Sequence, residues 1–271
     1  MRRGVLLAVF VIAVLLVVLI ALNIKRVSVS LPIKTGNAKS LFSLLAQAQE
    51  FQMKNKLAYA KNIYQRLINE FSNSPEVMNW QKSLENINIK LLFSSSITPK
   101  SALYEIKPGD TLTKIANEFK TTAGLIMKSN NLASDRISAG RKIKVWTSPF
   151  SILVDKSQNI LILKSDEEVF KTYVVSTGKD NSTPVGNFKI TNKLENPTWF
   201  KAGAVVPPGS PDNILGTRWL GFDLPGYGIH GTTAPDSLGK QVTQGCVRMS
   251  KSDVEELFTI VPLGTEVTIV D

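Results

Sequence analysis

A single cysteine and a single histidine occur among the 271 residues. One thiol excludes a disulfide framework within the chain, and one imidazole excludes the His-cluster zinc sites. No metal and no organic cofactor is expected. Aromatic residues are few, at 8%, but apolar residues reach 43%, which excludes a chain disordered throughout. The length fits one or two domains, or more if they are small. The net charge of +10 is unevenly held: residues 1–150 carry 21 Lys and Arg against 8 Asp and Glu, and residues 151–271 carry 11 against 14. A basic front half suits an anionic membrane surface or an anionic polymer. No RNA- or DNA-binding signature accompanies it, and no nucleic-acid partner is expected.

Long hydrophobic runs are also lacking, with one exception. Gly4 to Leu22 is unbroken apolar sequence behind Arg2 and Arg3, and as a helix it would span about 28 Å, one hydrocarbon core. A secretory signal shares the basic start, but its apolar stretch is shorter, about 7–15 residues, and ends at a small-residue cleavage site. Ala21-Leu22-Asn23 is a poor substitute for such a site. The run length favours an uncleaved single-pass anchor within residues 1–30, meeting the membrane through residues 4–22. Arg2 and Arg3 favour a cytoplasmic amino end, and Lys25 and Arg26 partly balance them.

Residues 38–93 read as helical. Leu41, Leu44, Leu45 and Ala48, then Ala60, Tyr64, Leu67, Ile68 and Phe71, fall at three- and four-residue steps. Ser72-Asn73-Ser74-Pro75 interrupts them. Ser74 is expected to cap a further helix with Pro75 at its first position and Val77, Trp80, Leu84, Ile87 and Leu91 as its apolar stripe. The arrangement resembles a tetratricopeptide helix pair plus a following helix. It covers little more than one repeat, where such folds stack several. A spacer or stalk is therefore expected, with a docking surface for a protein partner as the alternative. Residues 94–103, rich in small hydroxyl side chains and containing Pro99, read as a linker.

Residues 104–147 follow a βααβ pattern. Strand-like Tyr104-Glu105-Ile106-Lys107 meets a Pro108-Gly109 turn. Asp110 or Thr111 then caps a helix carrying Leu112, Ile115, Ala116 and Phe119. A second short helix holds Leu125 and Ile126, and Lys142 to Trp146 is a closing strand. The phrases Ile106-Lys107-Pro108-Gly109-Asp110-Thr111-Leu112, Ser129-Asn130-Asn131-Leu132 and Ala139-Gly140-Arg141-Lys142-Ile143 make this module resemble a LysM domain. That resemblance implies binding to N-acetylglucosamine-containing glycans, above all peptidoglycan. The alternative is a folded spacer without glycan binding.

Residues 150–271 read as mainly β. Ile152–Val154 and Ile160–Lys164 flank a hairpin turn at 155–159, and Phe170–Thr177, Phe188–Leu194 and Glu266–Val270 are further strands. Ser250-Lys251-Ser252-Asp253 is a capping box ahead of a helix bearing Val254, Leu257 and Phe258. His230 and Cys246 lie 16 residues apart in this segment, each beside a glycine. A nucleophilic thiol needs a neighbouring base, usually imidazole. A glycine beside the thiol lets backbone N–H groups approach an oxyanion. A lone Cys is also commonly an inert hydrophobe and a lone His a structural residue, so the residues by themselves leave both readings open.

The phrases around them narrow the choice. His230-Gly231-Thr232 and Thr243-Gln244-Gly245-Cys246-Val247-Arg248 resemble the L,D-transpeptidase (YkuD-type) catalytic domain. Val175-Ser176-Thr177-Gly178, Thr183-Pro184-Val185-Gly186-Asn187-Phe188, Asn196-Pro197-Thr198-Trp199 and Leu215-Gly216-Thr217-Arg218-Trp219-Leu220 match upstream in the family's order. The family often has His where this chain has Gln244, so any imidazole work falls to His230 alone. The resemblance implies that Cys246 attacks the third residue of a peptidoglycan stem tetrapeptide and releases D-Ala. The acyl group then passes to an amine, forming a 3-3 cross-link or attaching a protein. It further implies that His230 pairs with the thiol, oriented by the Gly231 carbonyl, and that the Gly245 and Cys246 amides form the oxyanion hole. Arg248, Thr243 and Trp219 are the expected substrate-binding residues, with a structural salt bridge as the alternative for Arg248 and a place in the core as the alternative to the groove for both Trp219 and Trp199. The alternatives are an L,D-carboxypeptidase using water, a non-catalytic peptidoglycan-binding scaffold, and a general cysteine protease.

The expected architecture is thus multidomain: an N-terminal transmembrane helix, a TPR-like helical segment, a LysM module and a mainly-β catalytic domain. The partners implied are peptidoglycan glycan strands and stem peptides. Such a substrate places the LysM and catalytic domains on the extracytoplasmic side of the cytoplasmic membrane.

Overall fold

The computed structural model describes residues 35–201 and 203–271, and the anchor expected within residues 1–30 lies outside them. Among the described residues no helix is long and apolar enough to cross a membrane. Three helices come first, α1 (Thr35–Met53), α2 (Leu57–Glu70) and α3 (Val77–Leu92). The βααβ module follows as β1 (Ser101–Glu105), α4 (Leu112–Glu118), α5 (Ala123–Ser129) and β2 (Lys142–Trp146). The remainder comprises β3 (Phe150–Asp155), β4 (Ile160–Ser165), β5 (Glu168–Val174), β6 (Thr177–Gly178), β7 (Gly186–Glu195), β8 (Trp199–Lys201), β9 (Ala204–Val206) and β10 (Arg218–Phe222). It ends with β11 (Gly228–His230), β12 (Gln241–Thr243), β13 (Val247–Arg248), α6 (Lys251–Ile260) and β14 (Glu266–Val270).

Eight of these strands form one sheet in the order β13-β11-β10-β7-β14-β3-β4-β5. Its pairs are antiparallel except β11 with β13 and β14 with β3. Alternate residues turn into the core, as a two-residue period requires: Ile152 and Val154, Leu161 and Leu163, Val267 and Ile269 are all buried. Helix α6 covers this core with Val254, Leu257 and Ile260. The Ser250 hydroxyl caps it by accepting the Asp253 N–H at 3.1 Å. In the βααβ module Thr111 caps α4, accepting the Lys114 N–H, while the Asp110 carboxylate holds the Tyr104 hydroxyl and the Lys107 N–H.

Three boundaries differ from expectation. Helix α3 begins at Val77, not Pro75, with Glu76 at its N-cap. The Ser74 hydroxyl reaches only the Glu76 N–H, 3.2 Å away, and so closes a turn ahead of the helix. The linker is shorter than its composition suggests, because Ser101, Ala102 and Leu103 pair with Trp146, Val145 and Lys144. Strand β2 needs a partner for its backbone, and nearby polar residues supply it whatever their side chains. The third difference concerns α3, expected as part of a spacer or stalk, which packs against the large sheet. Asn88 of α3 donates to the Phe170 carbonyl of β5 at 3.1 Å, and Glu85 accepts the Thr172 hydroxyl at 3.0 Å. β5 is the edge of the large sheet, and α3 covers the backbone groups that an edge leaves open.

The modules also share one apolar core. Leu92 of α3, Leu125 of α5 and Trp146 of β2 belong to the same buried cluster as Phe150, Phe170 and the sheet interior. The Trp146 ring stacks on Phe150 at 5.5 Å and meets Phe170 edge-on at 5.7 Å. Lys144, 2% exposed, reaches from β2 to the end of α3. Its ammonium donates to the carbonyls of Leu91 (2.7 Å), Leu92 (3.3 Å) and Ser94 (2.8 Å). Leu91 and Leu92 stand at the helix C-terminus, whose carbonyls lack intrahelical partners, and a cation there also meets the negative end of the helix dipole. Burial pushes the Lys144 pKa down to about 8.

Candidate active site

Topology brings the single thiol and the single imidazole together. β11 ends on His230, and β13 begins one residue after Cys246. The two strands are parallel neighbours, with Ile229 beside Val247 and His230 beside Arg248. Both side chains line one cleft of about 620 Å³, bordered also by Trp199, Trp219, Tyr227, Thr243 and Arg248. Among the described residues on its walls, Arg248 is the only permanently charged one and none is a carboxylate. Among the described residues no group of His, Cys, Asp and Glu could hold a metal ion.

His230 is 2% exposed. Its Nδ1 lies 2.6 Å from the Gly231 carbonyl oxygen. An acceptor there requires the proton on Nδ1 and leaves Nε2 free to accept one. Burial pushes the imidazole pKa down to about 4; the Arg248 charge works in the same direction, and the Gly231 hydrogen bond opposes both. Trp219 sits directly across from His230 in the β10–β11 register, and the two rings stack with centroids 6.1 Å apart and planes 22° from parallel. Trp219 is therefore a wall of the cleft and also a clamp on the imidazole plane.

The Cys246 thiol is half-buried and donates to the Gly226 carbonyl oxygen at 3.5 Å. The expected pairing with His230 is not a hydrogen bond in this resting site, where the thiol proton is held by the backbone. Burial pushes the thiol pKa up, while the Gly228 N–H and the Arg248 charge pull it back. A neutral thiol beside a neutral imidazole follows at pH 7, rather than a thiolate–imidazolium pair.

Gly245 has φ of +129°. A Cβ there would lie 2.7 Å from the Tyr227 ring and 3.2 Å from the Ser182 carbonyl oxygen, so the position has no room for a side chain. Thr243 staples this loop: its hydroxyl accepts the Gly245 N–H at 3.2 Å and donates to the Cys246 carbonyl at 2.7 Å. This alters two expectations. Thr243, 4% exposed, spends its hydroxyl on the nucleophile loop and offers none to a substrate. The Gly245 amide is already engaged, and the Cys246 amide is the donor that the loop leaves open. Trp199 lies on the cleft wall, so its groove reading stands over its core reading.

Sequence reasoning passed over Ser237. It ends a single 3₁₀ turn, Pro235–Ser237, and accepts a hydrogen bond from the Arg248 guanidinium at 3.1 Å. Nothing in a serine between Asp236 and Leu238 announces that contact.

Residues 149–269 match the YkuD family, described as the L,D-transpeptidase catalytic domain, and residues 104–146 match the LysM domain. Bacillus subtilis YkuD, which carries an L,D-transpeptidase name, is 38% identical over 173 residues, covering 61% of this chain and 97% of that protein. YqjB of the same organism, also bearing that name, is 46% identical over 126 residues, 44% of this chain and 70% of its own. A solved Mycobacterium smegmatis L,D-transpeptidase is 20% identical, with 49% of this chain and 65% of that one covered and a TM-score of 0.39.

Proposed function

Because the chain belongs to the L,D-transpeptidase family, we propose that Cys246 is its acyl-carrying nucleophile and that a peptidoglycan stem tetrapeptide is its donor. The observation that carries this reading is the thiol and the imidazole meeting in one cleft from adjacent parallel strands. Substrate entry displaces the Gly226 contact, and the thiol proton passes to Nε2 of His230, which Nδ1–H to Gly231 leaves as an acceptor. The sulfur bonds to the carbonyl carbon of the third stem residue. The resulting oxyanion is met by the Cys246 N–H. The bond to D-Ala then breaks, and the imidazolium returns its proton to the departing amine. An acceptor amine attacks the thioester, loses a proton to His230 and regenerates the thiol. A desolvated imidazole with a pKa near 4 holds that proton only briefly, which favours handing it on to an amine.

The LysM and L,D-transpeptidase domains together imply peptidoglycan binding. We place both on the extracytoplasmic side of the cytoplasmic membrane, anchored through residues 4–22, because peptidoglycan stems are met there. Tethering raises the effective concentration at the polymer. Intact-mass spectrometry of the full-length protein with disaccharide-tetrapeptide tests the reading. A tripeptide-containing adduct with release of D-Ala, absent in Cys246→Ala, is the expected result. Dimeric product then identifies an amine acceptor, and tripeptide alone identifies water. A folded protein that gives neither adduct nor product overturns the assignment in favour of a wall-binding scaffold.

A further inference from the structure

We propose that Ser237 is a positioning residue, which through its hydroxyl aims the Arg248 guanidinium so that the cleft's single fixed charge falls on the Cys246 sulfur. The geometry is closed on every side. The Ser237 hydroxyl donates its proton to the Ala234 carbonyl at 2.6 Å, which leaves its oxygen as an acceptor for Arg248 Nη1 at 3.1 Å. The Ser237 carbonyl is itself held by the Ser176 hydroxyl at 2.7 Å, and Ser176 is fully buried. Ser176 also exchanges both backbone hydrogen bonds with Arg248, at 2.8 and 2.9 Å. One buried serine thus fixes the Arg248 main chain together with the turn that holds its side chain. Without the Ser237 oxygen the guanidinium has no side-chain partner: Nη1 is released, and Nε is already buried without one.

The charge so aimed matters because, among the described residues, the cleft walls hold no carboxylate to offset the guanidinium. From β13 that cation pulls the thiol toward its ionised form and, acting on β11, holds the imidazole neutral. The first effect helps the thiol to give up its proton, the second keeps the imidazole unprotonated while making it a weaker base, and both depend on where a flexible side chain points.

The proposal rests on Cys246 as the nucleophile, and its test reads the thiol directly. In the full-length protein, the rate of Cys246 alkylation by iodoacetamide is followed from pH 6 to 10 for the wild type, Ser237→Ala, Ser237→Thr, Arg248→Gln and the Ser237→Ala/Arg248→Gln double variant. Ser237→Ala is expected to move the profile to higher pH and to slow alkylation about threefold at pH 7. Ser237→Thr, which keeps the hydroxyl, restores it. In the Arg248→Gln background, adding Ser237→Ala changes nothing further, since the serine acts only through the arginine. An unmoved profile in Ser237→Ala, or the same slowing with and without Arg248, overturns the proposal. Alkylation needs no turnover, so tripeptide transfer surviving in Cys246→Ala would instead sink the reading of the nucleophile.

Discussion

Burial of a neutral imidazole makes the fold sensitive to acid at one residue. His230 is fully enclosed, and its pKa lies near 4 against about 6.5 in an unfolded chain. Between those values the unfolded state binds a proton that the folded state refuses. The stability gained by folding around neutral His230 is therefore complete above about pH 6.5 and is lost as the pH falls toward 4. At pH 4.5 the loss from this residue comes to about 2–3 kcal/mol. Carboxylates titrate over part of the same range, so the measurement is a difference of differences. Urea unfolding is followed by tryptophan fluorescence at pH 7.5 and 4.5 for the wild type and His230→Asn. Asparagine places an amide N–H where Nδ1–H meets the Gly231 carbonyl but has nothing to titrate. The wild type should lose about 2–3 kcal/mol more than the variant between the two pH values. Equal losses would refute the reasoning, since they would mean that His230 takes up its proton as readily folded as unfolded.

Two further outcomes follow from close contacts. Lys144→Met removes a buried donor from the carbonyls of Leu91, Leu92 and Ser94, of which Leu91 alone keeps the Ser94 N–H and hydroxyl, and a loss of about 3–5 kcal/mol is expected on chemical unfolding, with faster amide exchange at the end of α3. Gly245→Ala drives a Cβ against the Tyr227 ring at a backbone angle alanine avoids, so transfer should fall at least about a hundredfold while LysM-dependent retention on peptidoglycan stays intact.

Much of this molecule could be read before its contacts were known, and the exceptions share a cause. Five of the eight strands of the large sheet, β3, β4, β5, β7 and β14, declared themselves because their burial period is local, as did the Ser250 cap, whose hydroxyl needs only the N–H three residues on. His230 and Cys246, which the fold brings into one cleft, stood out through phrases that run for several residues on either side of them. What stayed hidden depends on residues distant in the chain. Lys144 lies in a strand that could be read locally, but its partners lie 50 to 53 positions earlier. Asn88 and Glu85 lie off the stripe of α3, and their partners, a carbonyl and a hydroxyl of β5, stand more than 80 residues on. Thr243 shows the same limit at short range: its position in a motif suggested substrate, and only the folded loop reveals both of its bonds as internal.

The shared core around Trp146 sets a condition on how the wall is worked. An enzyme joined to its binding module by a flexible tether sweeps a volume and reacts wherever a stem happens to fall. Here α3, the LysM module and the sheet are welded through Leu92, Leu125, Trp146 and Phe150, with the Lys144 ammonium as rivet. Wherever the module grips a glycan strand, the Cys246 cleft stands at one offset and one bearing from the grip. The protein behaves as a caliper of fixed jaw, and the slack needed to bring a stem to the thiol has to come from the polymer.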